Sequence, residues 1–176
     1  MNKKFTIYFL VGMPGVGKSY FGKKAAEILK MNFYDTDILI ENNCKMSISR
    51  IFETQNEDFF RKKESEIIKK IVKQCSSNTI IATGGGTACN NNLMDFMNAN
   101  GITIWLNADT DLIVKRLKIY KNKRPLLKNE VSIEEKIEKL YNERCDFYAQ
   151  SKAKVIINEG LTPILFTNSL LLSTIE

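Results

Sequence analysis

The stretch FLVGMPGVGKSYFGKKAAEIL, Phe9 to Leu29, carries the reading of the fold. Its middle, Gly12 to Ser19, is a complete G-x-x-x-x-G-K-S. Before it, Lys4 to Val11 is an apolar, β-rich run; after it, Lys18 to Lys30 sets Phe21, Ala25, Ile28 and Leu29 near helical spacing. A strand, a glycine-rich loop and a helix in that order make a phosphate cradle. The glycines let successive N–H groups turn inward, and the helix N-terminus adds a favourable dipole. Lys18 is expected to reach the β- and γ-phosphates of ATP and Ser19 to offer its hydroxyl to Mg²⁺. Gly12, Met13, Pro14, Gly15, Val16, Gly17 and Tyr20 complete the expected nucleotide-binding stretch. A glycine turn that matches by chance is the competing reading, and the flanking strand and helix weigh against it. The loop by itself does not separate a kinase from a motor, a GTPase or a nucleic-acid ATPase.

The remaining composition narrows the chemistry. With 176 residues, 44% hydrophobic and 26% charged, the chain is expected to fold throughout as one domain. FTIYFLVG is too short to span a membrane and LTPILFTNSLLLSTI is interrupted by polar residues, so neither is read as a span or a leader. A net charge of +6 admits nucleic acid, an acidic membrane surface or small anions as partners. Its basic clusters, RKKESEIIKK and KIYKNKRPLLK, are interleaved with acids or apolar residues and form no block arm. Histidine is absent, which excludes Ser-His-Asp and Cys-His catalysis and any mixed Cys/His zinc site. Cys44, Cys75, Cys89 and Cys145 are widely separated, as expected of small buried hydrophobes in a reduced, cytoplasmic protein.

Downstream of the loop, strands and helices alternate. FYDTD from Phe33 reads as a short strand ending in acids, followed by helical pieces around DILIEN and SISRIFET. Glu57 to Cys75 puts Phe60, Ile67, Ile68, Ile71 and Val72 on one stripe of a long amphipathic helix. TIIAT is the next strand, then a helix near Asn91 to Asn98, the strand ITIWL, and the helix DLIVKRLK with Asp109 as its N-cap. Tyr120 to Val131 has no period and reads as a mobile loop. Ser132 and Glu135 form a capping box for a helix to about Gln150, KVIIN makes a fifth strand, and Thr162-Pro163 opens a last helix. This alternation predicts a three-layer α/β fold, a parallel sheet with helices on both faces and ligands at the carboxyl ends of the strands.

Two features at those ends invite chemistry. Strand alternation would place Asp35 and Asp37 on one side if the extended conformation persists, Asp35 facing the water shell of Mg²⁺ and Asp37 orienting or deprotonating an acceptor hydroxyl. Capping of the following helix is the rival reading. The strand TIIAT then runs into Gly84, Gly85 and Gly86, where a bare backbone suits close ligand approach and a structural bulge is the alternative.

The loop GMPGVGKS, the pair DTD, Arg61 in FFRKKE, the triple glycine, RPLL at Arg124 and Arg144 before Tyr148 together resemble the shikimate kinase family. That resemblance implies the fold shared with nucleoside monophosphate kinases: five parallel strands in the order 2-3-1-4-5 and a lid over about residues 119–131. It implies ATP-dependent phosphorylation of the 3-hydroxyl of shikimate, in aromatic amino acid biosynthesis, with Mg²⁺, by a cytoplasmic monomer that engages neither nucleic acid nor membrane. By the same resemblance Lys18, Asp37 and Arg124 are catalytic. Arg61 and Arg144 clamp the acceptor carboxylate with Gly84, Gly85, Gly86 and Asp37 beside it, Arg116 and Arg124 contact ATP, and Ser19 and Asp35 serve the metal. After Arg144 the chain reads CDFYAQSKA and departs from the family pattern except at the tyrosine. The rivals are another small-molecule kinase of this type, acting on gluconate or a nucleoside monophosphate, and a nucleic-acid-binding ATPase.

Overall fold

In a computed structural model, described here for residues 5–90, 92–119 and 132–173, the phosphate-loop strand lies at the centre of one sheet. The strands are β1 (Ile7–Val11), β2 (Asn32–Asp35), β3 (Thr79–Ala82), β4 (Ile102–Asn107) and β5 (Ala153–Ile156), all parallel in the order β2-β3-β1-β4-β5. Around them pack α1 (Lys18–Leu29), α2 (Thr36–Cys44), α3 (Ile48–Thr54), α4 (Glu57–Gln74), α5 (Leu93–Asn100), α6 (Thr110–Ile119), α7 (Ile133–Tyr148) and α8 (Pro163–Leu172). The expected order and strand number are both realised.

The centre of the sheet is buried on both faces: every residue of β1 and of β3 is buried, and all but Thr79 are apolar. The register aligns Leu10, Ala82 and Asp35 side by side, and all three strands end within a residue of that line. Thr83, the next residue of the third strand, donates through both its N–H (3.2 Å) and its hydroxyl (2.8 Å) to the Leu10 carbonyl. This pins the start of the triple glycine beside the start of the phosphate loop.

Local signals stop and start the helices. Ser132 caps α7 by accepting from the Glu135 N–H, and Thr162 caps α8 ahead of Pro163; caps of this kind are each worth about 1 kcal/mol. α8 lies against α1 with Phe166 and Phe21 at 5.1 Å between ring centroids. A second, smaller core of Ile40, Ile51 and Phe60 locks α2, α3 and α4 together. That unit matters because it carries Asp37 and Arg61.

Two expectations need correction. All four cysteines are free thiols of intermediate exposure, not fully buried; Cys75 and Cys44 pack at the rims of the larger and the smaller core. The extended conformation of FYDTD also ends at Asp35, and Thr36 and Asp37 already belong to the first turn of α2. The lid segment beyond Ile119, and Arg124 with it, lies outside the described residues.

Candidate active site

The phosphate loop joins β1 to α1 in a conformation that its glycines permit. Gly12 and Gly17 sit at φ +135° and +108°, and a Cβ on Gly12 would collide with the Leu106 carbonyl of β4. No side chain caps α1, whose Ncap is Gly17, so its first N–H groups face the loop and can meet an anion. Lys18 is buried, and its ammonium donates to the Gly12 (2.7 Å) and Met13 (3.0 Å) carbonyls. Met13 and Val16 are core residues that anchor the loop, while Pro14 and Gly15 are half-buried and Ser19 is exposed on the first turn of α1. Tyr20 is solvent-facing, with its ring edge-on to Phe21. From α6, Arg116 donates to the Val16 carbonyl at 2.7 Å and braces the loop.

Across from the loop lies the triple glycine, and each missing side chain has its own reason. A Cβ on Gly84 would stand 2.6 Å from Glu64 Oε1, 3.1 Å from Asp37 Oδ1 and 3.2 Å from Thr87 Oγ1. One on Gly85 would stand 2.6 Å from Pro14 Cγ of the phosphate loop, and one on Gly86 would strike the Arg61 guanidinium. The bare backbone therefore lets an acid, the loop and an arginine close in together. Sequence reasoning expected the ligand itself to need that space; the packed groups of the protein already do.

We expect Gly85→Ala to push against Pro14 and cost about 1–3 kcal/mol of stability, as overpacking does. Loss of affinity for both the nucleotide and the acceptor should accompany it, because the intruding methyl moves the loop as well as the turn. Calorimetry with each ligand separately checks this, and a loss confined to one ligand would contradict it.

Asp37 and Arg61 border the same turn from α2 and α4, so the structure brings those two expected residues together. Asp35 does something different. Its Oδ1 accepts from the N–H groups of Asp37 (3.0 Å) and Ile38 (3.4 Å), making it the N-cap of α2. The capping reading thus holds for Asp35, and the shared strand face expected for the two acids is replaced by a helix start. As a consequence Asp37 is positioned by α2, at the end where a negative charge is favoured.

Arg61 is held by two glutamates. Glu57 accepts from Nε (3.1 Å) and Nη2 (2.9 Å), and Glu64 accepts from Nη1 (3.0 Å). Burial works against the guanidinium charge, but Glu64 and Glu57 outweigh it and raise the pKa of Arg61 above its ordinary value. Its i,i+3 spacing offers Glu64 as an ordinary surface ion-pair partner of Arg61; the pair exists, but it is not on the surface. The Glu64 carboxylate is fully buried between Arg61 and Thr87, whose hydroxyl donates to it. Surrounding charges in RKKESE hide it as one more exposed helix acid; only its place on the Phe60–Ile67 side of the stripe hints otherwise.

Past the glycines, the 3-10 turn Thr87–Cys89 leads to Asn90, whose side chain donates to the Arg61 carbonyl at 3.0 Å. Burial raises the Cys89 thiol pKa, opposed electrostatically by Arg144 and then Arg61. Arg144 is half-buried on α7, and its charge opposes the rise that burial gives the pKa of Tyr148 one turn later. The two arginines expected to act together both exert their charge on the Cys89 thiol. Tyr148 is the second residue whose part was not legible, since a buried tyrosine reads as core.

The oxygen donors suit a hard cation. Ser19 Oγ is accessible beside the loop, and the Asp35 carboxylate is engaged as a cap and would act through water. No cluster of three or more Cys, Asp or Glu that could hold a metal occurs among the described residues.

Comparison with known proteins agrees with this geometry. A family model described as shikimate kinase matches residues 14–173. The shikimate kinase of Clostridium botulinum (strain Alaska E43 / Type E3) is 40% identical over 152 residues, covering 86% of this chain and 87% of the relative. Among solved structures, the shikimate kinase from Bacteroides thetaiotaomicron has a TM-score of 0.85 at 29% identity and covers 95% of each chain. The one from Acinetobacter baumannii, in complex with shikimate, has a TM-score of 0.86 at 28% identity, covering 98% of this chain and 96% of that chain.

Proposed function

The chain belongs to the shikimate kinase family, and from that premise we propose how its residues transfer the γ-phosphoryl group of ATP to the 3-hydroxyl of shikimate. Its activity is ATP-dependent phosphorylation of shikimate. One observation supports the site best: Asp37 and Arg61 meet at Gly84–Gly86, and that turn packs on Pro14 of the phosphate loop. Donor and acceptor are thereby held on adjoining backbone, and alignment is most of what phosphoryl transfer requires of a protein.

Lys18 and the N–H groups of the loop bind the transferring phosphates. Arg61 and Arg144 hold the shikimate carboxylate, and Asp37 accepts a hydrogen bond from the attacking hydroxyl and takes its proton. Arg116 steadies the loop under ATP, and Arg124 adds positive charge at the transferring group. Mg²⁺, held by Ser19 and through water by Asp35, would neutralise charge on the β- and γ-phosphates. We place the enzyme in the cytoplasm, consistent with four free thiols, and as a monomer. Among the described residues no helix is long and apolar enough to cross a membrane.

The test is ADP release, coupled to an absorbance readout, with shikimate, gluconate, a nucleoside monophosphate or single-stranded nucleic acid as the added component. Stimulation by shikimate alone is the expected result. Stimulation by any of the others without shikimate would reject the assignment.

Arg61→Lys tests the clamp. Lysine keeps the charge but loses the planar fork that binds a carboxylate through two parallel bonds. The KM for shikimate should rise about 10- to 100-fold, the scale of charge-assisted hydrogen bonds, with the KM for ATP little changed. An unchanged shikimate KM would remove Arg61 from the acceptor site.

A further inference from the structure

Tyr148 closes α7 fully buried, and its hydroxyl donates to the Gly85 carbonyl. The same oxygen lies 3.9 Å from Met13 Sδ in the phosphate loop, and the positive charge of Arg144, one turn earlier on α7, acts on the phenol electrostatically. Its ring rests on Trp105 at 6.0 Å between centroids, and Trp105 in turn reaches to 3.4 Å from the Cβ position of Gly12. Three separate parts of the site, the glycine turn, the phosphate loop and the second arginine, therefore share one phenol.

We propose that Tyr148 is a positioning residue for the kinase reaction, its hydroxyl fixing Gly85 at the distance from the phosphate loop at which shikimate binds. This rests on the acceptor site placed above. No regular secondary structure sets that distance: β1 ends at Val11 and β3 at Ala82, so turn and loop both run beyond the sheet. Gly85 leans on Pro14 from one side, and the phenol draws its carbonyl toward α7 from the other. The phenol suits the task because burial pushes its pKa well above the ordinary tyrosine value, which keeps it a donor throughout the working pH range. Phenylalanine would fill the same volume and leave the Gly85 carbonyl without that donor.

Tyr148→Phe in the full-length enzyme is expected to raise the KM for shikimate about tenfold, while the Kd for ADP, by titration calorimetry, stays within about twofold of wild type. Ile137→Val, a core truncation on the same helix, supplies the comparison for stability alone. The proposal is overturned if the shikimate KM of Tyr148→Phe matches wild type, or if shikimate and ADP binding weaken equally. A KM shift no larger than that of Ile137→Val at equal thermal midpoint overturns it too. Should Tyr148→Phe fail to fold, 3-fluorotyrosine placed at position 148 decides: its ¹⁹F resonance should move on saturation with shikimate, and a fixed resonance rejects the role. Arg61→Lys separates the two levels. If Arg61→Lys raises the shikimate KM and Tyr148→Phe does not, only the positioning role fails; if Arg61→Lys leaves it unchanged, the acceptor site fails and this proposal with it.

Discussion

Lys18→Met should reduce phosphoryl transfer by roughly 10³-fold or more, on the scale seen when a cation facing the transferring group is removed. Lys18 is buried at the head of α1, and its ammonium is directed along the loop by two carbonyls, so little reorganisation separates its resting position from a phosphate. Methionine matches the length and the apolar stem but brings no charge. The loop glycines and the α1 dipole would still bind nucleotide weakly, so the loss should be larger in turnover than in ADP affinity. Comparing kcat with ADP titration checks both parts. Turnover within about tenfold of wild type would show that the loop does not carry the reacting phosphates.

Asp37→Asn should follow closely, with kcat lowered by about 10²- to 10⁴-fold, the range of general base catalysis. Asparagine retains the shape and can still accept a hydrogen bond, but it cannot take the proton. The chain has no histidine to substitute for it. Glu64, the other carboxylate at Gly84, is committed to Arg61 and Thr87. The shikimate KM should change far less than kcat, and a fall in KM affinity with kcat intact would make Asp37 a binding residue only. Steady-state kinetics on folded protein, with thermal midpoints as a control, separates these results.

The fold was legible because its signals are local. Apolar runs of strand length, the caps at Ser132 and Thr162, and the glycine loop each depend on a few adjacent residues, and all were realised. The site was legible in part. Asp37 and Gly84–Gly86 could be singled out because residue type at a strand end limits what they can do, and Arg61 only through the family resemblance. Their supports could not, since a support is defined by what lies across the fold. Glu64 looks like any exposed acid until Thr87 and Arg61 surround it, and Tyr148 looks like core until its hydroxyl is seen at Gly85. The error at Asp35 and Asp37 has the same origin. An acid, a polar residue and another acid after two aromatics fit both a strand end and a helix start, and the extra N–H partners available to a cap decided the matter.

The crowding of the triple glycine bears on any attempt to redesign this enzyme for a new acceptor. Saturating positions 84, 85 and 86 would yield mostly inactive clones, because each added methyl strikes a different neighbour and none opens into empty volume. Variation should instead target the flanks that face the acceptor from helices, where exchanging a long side chain for a shorter one creates room without dislodging the nucleotide.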